Sequence, residues 1–235
     1  MRLDDDRLVR DEYATDAGLA GRIAGYRFAE GPDAREEAFR AVAEARPRRV
    51  LEVGCGQGWL SERIQRELGC QVVAIDQSEH MVEITRARGV RAEVADAQDL
   101  PFDDGEFDCA VAAWMLYHVR DVDRALAELA RVLRPGGRLV AVTNGRDSLR
   151  ELIELLGVER VDYSFSAENG AAQLQRHFAA VERREAYGWV VFPSRKEAQE
   201  HVDHMILWGG RQLPDFDGPL RVRRAPVVFV AEKHP

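Results

Sequence analysis

Apolar residues alternate along the chain between short continuous runs and longer runs with helical spacing. The short runs have the length and composition of buried strands. They lie at residues 50–53, 71–75, 91–95, 106–113, 138–143 and 226–232. Residues 79–88 and 121–133 predict helices, and the Pro-Gly-Gly sequence at 135–137 is expected to end the second of these. Strands that alternate with helices predict an α/β fold with one continuous sheet.

The first strand leads into a turn that contains three alternate glycines. Gly54, Gly56 and Gly58 permit positive φ and have no Cβ, so a ligand can lie directly on main-chain atoms at a helix N-terminus. A dinucleotide fold would have the spacing G-x-G-x-x-G, but the third glycine comes one residue early here. Glu52, just before the turn, would repel phosphate and attract an ammonium or sulfonium group. This indicates a nucleotide-like cofactor with positive charge.

Asp76 ends the second strand, 22 residues beyond Gly54. An acid at this position can accept hydrogen bonds from both ribose hydroxyls, as the acid about 20 residues on does in dinucleotide folds. Asp76 could instead be a helix N-cap, a task that Ser78 could share. Combined with the glycine turn, the spacing predicts ribose binding at Asp76.

Several spaced motifs carry a family resemblance over roughly residues 48–144. Residues 50–60 resemble motif I of the class I S-adenosylmethionine-dependent methyltransferases. Residues 100–108, followed by 133–139, closely resemble the type 11 group that includes the ubiquinone and menaquinone C-methyltransferases. The resemblance implies a Rossmann-like methyltransferase fold: a seven-stranded, mostly parallel sheet with an antiparallel last strand and helices on both faces. It also implies S-adenosyl-L-methionine as cofactor and S-adenosyl-L-homocysteine as product.

The resemblance also implies cofactor contacts at matching positions. Asp96 with Ala97, after the third strand, corresponds to the contact with the adenine amino group, and Ala113 with Trp114 corresponds to the contact with the methionine moiety. Cys55 could itself accept a methyl group, but the favoured interpretation is a small residue between two turn glycines. The expected cofactor contacts are Glu52, Gly54, Cys55, Gly56, Gly58, Asp76, Gln77, Met81, Asp96, Ala97, Ala113 and Trp114.

Two candidates for catalysis lie outside the cofactor motifs. His118 follows the fourth strand at the sheet edge where open α/β folds bind ligands, and a neutral imidazole there could accept a proton from the acceptor. Alternatively, His118 packs or hydrogen-bonds to the chain, as in many relatives of the resembling group. Residues 13–28 have an aromatic-rich helical pattern that predicts either a lid over the ligand or an ordinary packed helix. Tyr13 is the first candidate for a ligand contact or a catalytic contribution there.

Residues 148–219 follow the fifth strand, where the resembling superfamily has its variable acceptor-binding elements. The patterns there predict helices at 148–156, 167–177 and 194–207 and a strand at 178–187. Aromatic residues between these elements suit an apolar pocket with a few polar groups, although sheet packing could explain some of them. The expected acceptor contacts are Tyr117, His118, Tyr163, Phe165, Trp189 and Trp208.

Length and composition favour one domain over residues 1–235. We expect a helical lid at 1–45, a cofactor-binding core at 48–144, acceptor-binding elements at 148–219 and the last strand at 226–232. An apolar fraction of 46% suits a packed core, and no run approaches the roughly 18 apolar residues that span a bilayer. The acidic N-terminus lacks the apolar segment of a signal peptide, which indicates a cytoplasmic protein. Abundant alanine and arginine with only two lysines indicate a GC-rich bacterial genome.

Charge and metal-ligating residues limit the partners. With 33 basic and 41 acidic side chains the net charge is −8, which disfavours nucleic acid. The basic clusters at 183–184 and 221–224 adjoin strands and are interpreted as solvated edges. Three cysteines with irregular spacing indicate neither a disulfide framework nor a zinc site. His201 and His204 predict an exposed helix face rather than a metal site. We expect no metal, nucleic acid or membrane partner, and a monomer or homodimer.

Together, these patterns predict methyl transfer to a small-molecule metabolite by in-line displacement at the sulfonium. Such a reaction depends mainly on holding the acceptor near the methyl group and on excluding water. Two alternatives stay open: a nucleic-acid or protein methyltransferase, and a non-catalytic S-adenosylmethionine-binding regulatory protein. The sequence does not distinguish O-, N- and C-methylation.

Overall fold

A computed structural model describes residues 3–4, 17–160 and 162–235. The helices are α1 (Ala17–Gly25), α2 (Ala34–Glu44), α3 (Trp59–Leu68), α4 (Glu79–Ala87), α5 (Val122–Val132), α6 (Arg150–Leu156), α7 (Gly170–Leu174) and α8 (Arg195–Asp203). The strands are β1 (Ala29–Glu30), β2 (Arg49–Val53), β3 (Gln71–Asp76), β4 (Arg91–Val94), β5 (Phe107–Ala113), β6 (Leu133–Asn144), β7 (Ala180–Glu185), β8 (Gly188–Phe192), β9 (Leu220–Arg224) and β10 (Pro226–Glu232).

Seven strands form the main sheet in the order β4–β3–β2–β5–β6–β10–β7. The pairs from β4 to β6 are parallel, whereas β10 runs antiparallel to both β6 and β7. The predicted α/β fold with its antiparallel last strand is therefore confirmed. Because β2, β3, β5 and β6 run the same way, their carboxyl ends lie along one edge of the sheet, where open α/β folds bind ligands.

Alternating side chains divide the core of the main sheet into two clusters. Leu51 and Val53 of β2 face one side, where they pack in a cluster with Leu126 and Leu129 of α5. Val50 faces the other side, in a cluster that includes buried residues of α2, α3 and α4. The two-residue period of a strand thus places helices on both faces of the sheet, as the sequence predicts.

The strands β1, β8 and β9 form a second, antiparallel sheet that the sequence analysis did not predict. A Cβ on Gly188 would lie 2.4 Å from the carbonyl oxygen of Glu30, so glycine lets β1 approach β8 closely. Val190, Phe192 and Val222 of this sheet pack in a third cluster with Leu152 of α6 and Val202 of α8. Residues 188–192, for which no element was predicted, and residues 220–224, which include the basic cluster interpreted as a solvated edge, are therefore strands.

Several predicted boundaries are displaced. The helix predicted at 148–156 begins at Arg150 because Leu149 has a left-handed φ of 59°. The helix predicted at 167–177 covers only Gly170–Leu174, and the helix predicted to reach residue 207 ends at Asp203. Residues 135–137 do not end α5, because that helix ends at Val132 and β6 starts at the next residue.

The N-terminal part contains α1, a 3-10 turn at Tyr26–Phe28 and α2. The side chain of Asp33 caps α2 by accepting the main-chain N–H of Arg35 at 2.9 Å. Tyr13 lies outside the described residues. Among the helices that the structure describes, none has both the length and the apolar character needed to cross a membrane.

Candidate active site

The glycine turn after β2 brings main-chain atoms to the wall of a large cavity. Gly54, Gly56 and Gly58 have φ values of 71°, 52° and 73°. A Cβ on Gly54 would lie 2.6 Å from the Cβ of Met115, so no side chain fits between this turn and the end of β5. Gly54, Cys55 and Gly56 line the cavity, whereas Gly58 faces Thr85. The turn therefore leaves a smooth surface on which a ligand can lie.

Asp76 faces this turn from the end of β3. Its Oδ2 accepts the N–H of Gly56 at 2.9 Å, and its Oδ1 accepts the N–H of Ser78 at 2.9 Å. Burial raises the pKa of Asp76, although these two N–H groups act in the opposite direction. The N-cap of α4 is Ser78, whose Oγ accepts the N–H of Met81, so the alternative N-cap assignment for Asp76 does not hold. Each carboxylate oxygen keeps acceptor capacity for a ligand hydroxyl.

Glu52 lies beside the turn and also lines the cavity. Its side chain accepts a hydrogen bond from Ser61, and the residue is only 3% exposed. Burial raises the pKa of Glu52 to about 7. A cation placed next to this carboxylate would favour its charged form.

The predicted adenine side contributes Gln77 and Ala97 to the cavity wall. Asp96 does not line the cavity; its Oδ1 accepts the N–H of Gln98 at 2.9 Å and the side-chain amide of Gln77 at 3.5 Å. Met81 is fully buried and likewise lies outside the wall. Asp96 is thus placed to orient Gln77 rather than to border the cavity itself.

Trp114 continues the wall at the end of β5. It has a left-handed φ of 54°, a conformation that is uncommon for a residue other than glycine and that is often found at functional sites. Its main-chain N–H donates to Val142 at 2.8 Å, and its indole Nε1 donates to the Asn144 side chain at 3.4 Å. Ala113, Trp114 and Asn144 all line the cavity, so the wall extends from β5 to the end of β6.

His118 lies farther along the same wall. Its Nδ1 is 2.9 Å from the carbonyl oxygen of Leu3. A carbonyl oxygen can only accept, so Nδ1 carries the proton in this bond and Nε2 is the acceptor atom of the neutral ring. The ring of Tyr117 lies 4.6 Å from His118 and 5.1 Å from Tyr163, between centroids. Burial raises the pKa of Tyr163 to about 12, so its hydroxyl stays protonated.

Two predicted acceptor contacts do not reach this cavity. Phe165 is fully buried and packs edge-on against Phe229 in the core, with 5.9 Å between ring centroids. Trp189 lies on the outer face of the second sheet, beneath the guanidinium of Arg221 at 4.2 Å. Of the predicted aromatic residues, Tyr117, Tyr163 and Trp208 line the cavity.

Two further residues of the cavity wall were wrongly predicted to be exposed. His201, predicted on an exposed helix face, is 3% exposed, and its ring lies 5.3 Å from that of Phe192. Arg224, predicted at a solvated edge, is 8% exposed. Alternation with Leu220 and Val222 could have indicated the inward direction of Arg224. Both residues line the cavity.

The three cysteines that the structure describes are free and buried. Burial raises the pKa of the Cys55 thiol well above its ordinary value. A protonated thiol is a weak nucleophile, so the structure favours the interpretation of Cys55 as a small turn residue over a methyl acceptor. No group of three or more His, Cys, Asp or Glu side chains suited to a metal ion occurs in the described part of the chain.

The cavity has a volume of about 1120 Å³. Ligand pockets commonly measure about 300–1,000 Å³, so there is room for a nucleoside-sized cofactor and a small second molecule. Leu19 and Ile23 of α1 form part of the wall. The lining thus combines the carboxylates of Glu52 and Asp76 with aromatic rings that include Tyr163 and Trp208.

Comparison with known proteins gives matches in both sequence and structure. Residues 51–141 match a family model described as a methyltransferase domain. An uncharacterized methyltransferase of Mycobacterium tuberculosis is 40% identical over 132 residues, 54% of each chain. A ubiquinone biosynthesis O-methyltransferase of Xanthomonas oryzae is 37% identical over 120 residues, 48% of this chain and 50% of that protein. This chain thus spans about half the length of these curated relatives.

A solved structure of a methyltransferase from Thermotoga maritima has the same fold. It superimposes with a TM-score of 0.61 and 24% identity, and the match covers 95% of this chain and 99% of that one. The similarity extends beyond residues 51–141 to nearly all of the described elements.

Proposed function

We propose a function from the premise that the core of this chain, residues 51–141, belongs to the methyltransferase domain family of class I S-adenosylmethionine-dependent enzymes. The protein binds S-adenosyl-L-methionine and transfers its methyl group to a small-molecule acceptor. The observation that carries this proposal is that Glu52, Asp76 and the glycine turn line the same cavity as the aromatic rings of Tyr163 and Trp208. The division into lid, core and acceptor-binding elements stays a prediction.

The residues at and beside the glycine turn fit this cofactor. Asp76 has acceptor capacity for ribose hydroxyls, and the turn leaves no side chain between it and a nucleoside. Glu52 offers a buried carboxylate to the ammonium group of the methionine moiety. Gln77 and Ala97 would border the base, and Trp114 would border the methionine moiety.

The cofactor supplies a methyl group on a sulfonium, which leaves as a neutral thioether when the acceptor displaces it. This chain's contribution is to hold the acceptor in line and to exclude water. His118 can take a proton at Nε2 because its Nδ1 already donates to Leu3. Tyr163 stays protonated and can donate a hydrogen bond to an acceptor oxygen.

A small molecule is the favoured class of acceptor. The net charge of −8 opposes binding to nucleic acid, and a relative that matches 48% of this chain is a ubiquinone biosynthesis O-methyltransferase. A bacterial source, a cytoplasmic location and a monomeric or homodimeric state stay predictions.

Calorimetry tests the cofactor assignment directly. We expect the chain to bind S-adenosylmethionine and S-adenosylhomocysteine and not NAD. Turnover is then measured as S-adenosylhomocysteine formed with panels of phenols, acids and amines. Tight NAD binding, or no binding of either sulfur compound, would contradict the proposal. Cofactor binding without turnover on any panel would favour the non-catalytic alternative.

A further inference from the structure

Arg224, the last residue of β9, is a buried cation in the wall of the cavity. It is 8% exposed, and no carboxylate of the described residues lies within ion-pair distance of it. Other partly buried arginines of this chain have acidic partners; Arg184, for example, pairs with Glu37, Glu44 and Glu182. A buried charge without a counter-ion is unusual, because charges in protein interiors are normally paired.

Main-chain carbonyls use only part of the hydrogen-bonding capacity of Arg224. Its Nε donates to Trp189 at 3.3 Å, and its Nη2 donates to Glu30 at 3.4 Å and to Pro32 at 3.1 Å. A guanidinium has five N–H groups, so the two on Nη1 have no partner among the described residues. The carbonyls hold the guanidinium in place and leave one of its nitrogen atoms for a ligand.

Arg224 lies on the side of the cavity away from the cofactor turn. Along the sheet edge, the end of β5 at Trp114 is followed by the end of β6 at Asn144, which pairs with Pro226 at the start of β10. Only Ala225 separates Arg224 from the start of this strand, whereas Asp76 lies at the end of β3, on the other side of β2. Two strands, β5 and β6, therefore lie between the glycine turn and the start of β10, next to which Arg224 stands in sequence.

Aromatic rings surround this part of the wall. The guanidinium carbon of Arg224 lies 5.7 Å from the centre of the Tyr26 ring, and that ring lies 6.1 Å from His201. Trp208 lines the same cavity. Of the acids nearest in sequence to these carbonyls, Glu30 is itself exposed, and the side chain of Asp33 caps α2. The guanidinium carbon of Arg35 also lies 5.7 Å from the centre of the Tyr26 ring, so the surroundings combine positive charge with aromatic walls.

We propose that Arg224 recognises the acceptor and that this acceptor is a small aromatic acid, whose carboxylate binds Nη1. This inference rests on the proposed methyltransferase function and specifies the substrate class of the same site. Carboxylates accept charge-assisted hydrogen bonds from guanidinium groups with good geometry, and the aromatic walls suit a ring attached to the acid. Neutral amides of the same shape lack the charge that Arg224 would neutralise, and cationic amines would be repelled.

The test uses matched pairs of ligands on the full chain saturated with S-adenosylhomocysteine. Benzoate, 4-hydroxybenzoate and 3,4-dihydroxybenzoate are each titrated beside the corresponding amide. We expect at least one acid to bind about tenfold or more tightly than its amide, since a hydrogen bond to a charged group has roughly this effect. Arg224→Gln should remove the preference, and Arg224→Lys should keep part of it. Arg223→Gln, one residue away on the outer face, should keep all of it.

Other results would overturn this inference in distinguishable ways. If no acid binds better than its amide to the wild-type chain, Arg224 does not select acids, and this measurement needs no variant to fold. If Arg224→Gln weakens the binding of S-adenosylhomocysteine while the ratio of acid affinity to amide affinity stays unchanged, Arg224 belongs to the cofactor site. If the wild-type chain does not bind S-adenosylhomocysteine, the proposed function itself fails. Thermal melts show whether each variant is folded.

Discussion

The Asp76 carboxylate accepts the main-chain N–H of Gly56 at 2.9 Å, which joins the end of β3 to the glycine turn after β2. One side chain therefore holds the turn in shape and also presents acceptor oxygens to whatever lies on the turn. A second N–H, from Ser78, fixes the other carboxylate oxygen at 2.9 Å. The orientation of Asp76 is set before any ligand binds, so binding needs little rearrangement there.

Replacement of Asp76 should weaken cofactor binding more than it lowers the stability of the fold. We expect Asp76→Ala to reduce the affinity for S-adenosylhomocysteine by about 1.5–3 kcal/mol, because a charge-assisted contact is lost. Asp76→Asn should lose less of this affinity, since its amide oxygen can still accept one hydrogen bond. Calorimetry on both variants measures this, with the exposed Asp103→Ala as control. Unchanged affinity in Asp76→Ala would remove this residue from the cofactor site.

Glu52 should make cofactor affinity depend on pH. Its pKa in the folded protein is about 7, so a fall from pH 8 to pH 6 protonates Glu52 and removes the charge that faces the ligand's ammonium group. We expect S-adenosylhomocysteine to bind several-fold more weakly at pH 6 than at pH 8. The Glu52→Gln variant should bind S-adenosylhomocysteine weakly at both pH values. Calorimetry at several pH values tests this, and an identical pH profile in wild type and variant would contradict it.

The same pKa shift predicts an opposite effect on stability. The pKa of Glu52 is raised above its ordinary value of 4.5, so its contribution to stability is present below pH 4.5 and is lost as pH rises through about 7. Glu52→Gln should therefore melt at a higher temperature than wild type at pH 8. The difference should shrink as pH falls toward 5. Melts in the absence of ligand separate this effect from binding.

The sequence predicted those parts of the fold that depend on local patterns. The strand β10 has the predicted bounds, and β2 and β3 lie within a residue of theirs, because continuous apolar runs between turns leave few alternatives. The second sheet was missed because it joins two residues at 29–30 with segments about 160 and 190 residues away, and β1 alone has no periodicity to read.

Dependence on pairing between distant segments also explains which site residues the sequence analysis misplaced. The predicted cofactor motifs are short and close together in the sequence, so spacing alone predicted that Gly54 and Asp76 would meet at one site, and both line the same cavity. Arg224 follows the inward alternation of Val222, but arginine is seldom buried, and that general preference outweighed the local pattern. The carbonyls of Trp189, Glu30 and Pro32, which long-range pairing brings to Arg224, make this burial tolerable.

Removal of the His118 imidazole should affect chemistry rather than cofactor binding. If Nε2 accepts a proton from the acceptor, His118→Ala should lower turnover by roughly 10²–10⁴-fold and leave S-adenosylhomocysteine affinity nearly unchanged. The surface residue His177, which pairs with Asp123 at 2.9 Å, provides the control His177→Ala. Single-turnover rates beside thermal melts measure both effects. A folded His118→Ala variant with a near-normal rate would show that His118 is not the base.

Tyr163 and Trp208 should determine acceptor affinity. Both line the cavity, and each ring can bury about 150–250 Å². We expect Tyr163→Ala and Trp208→Ala to raise the acceptor KM about tenfold or more, while cofactor affinity stays within a few-fold of wild type. Paired titrations of cofactor and acceptor measure this. If both changes mainly abolish cofactor binding, the acceptor pocket lies elsewhere, and the next place to test is the wall formed by α1.

Phe165 and Trp189 should behave differently from these two, although all four are aromatic residues of the same region. Phe165 packs against Phe229 in the core, so Phe165→Ala should lower the free energy of unfolding by about 3–5 kcal/mol. Trp189 covers the outer face of β8 beneath Arg221, so Trp189→Ala should change neither cofactor affinity nor acceptor KM. Chemical denaturation and the same paired titrations, below the melting temperature, distinguish these outcomes. A raised acceptor KM in folded Trp189→Ala would mean that acceptors also contact the outer face of the second sheet.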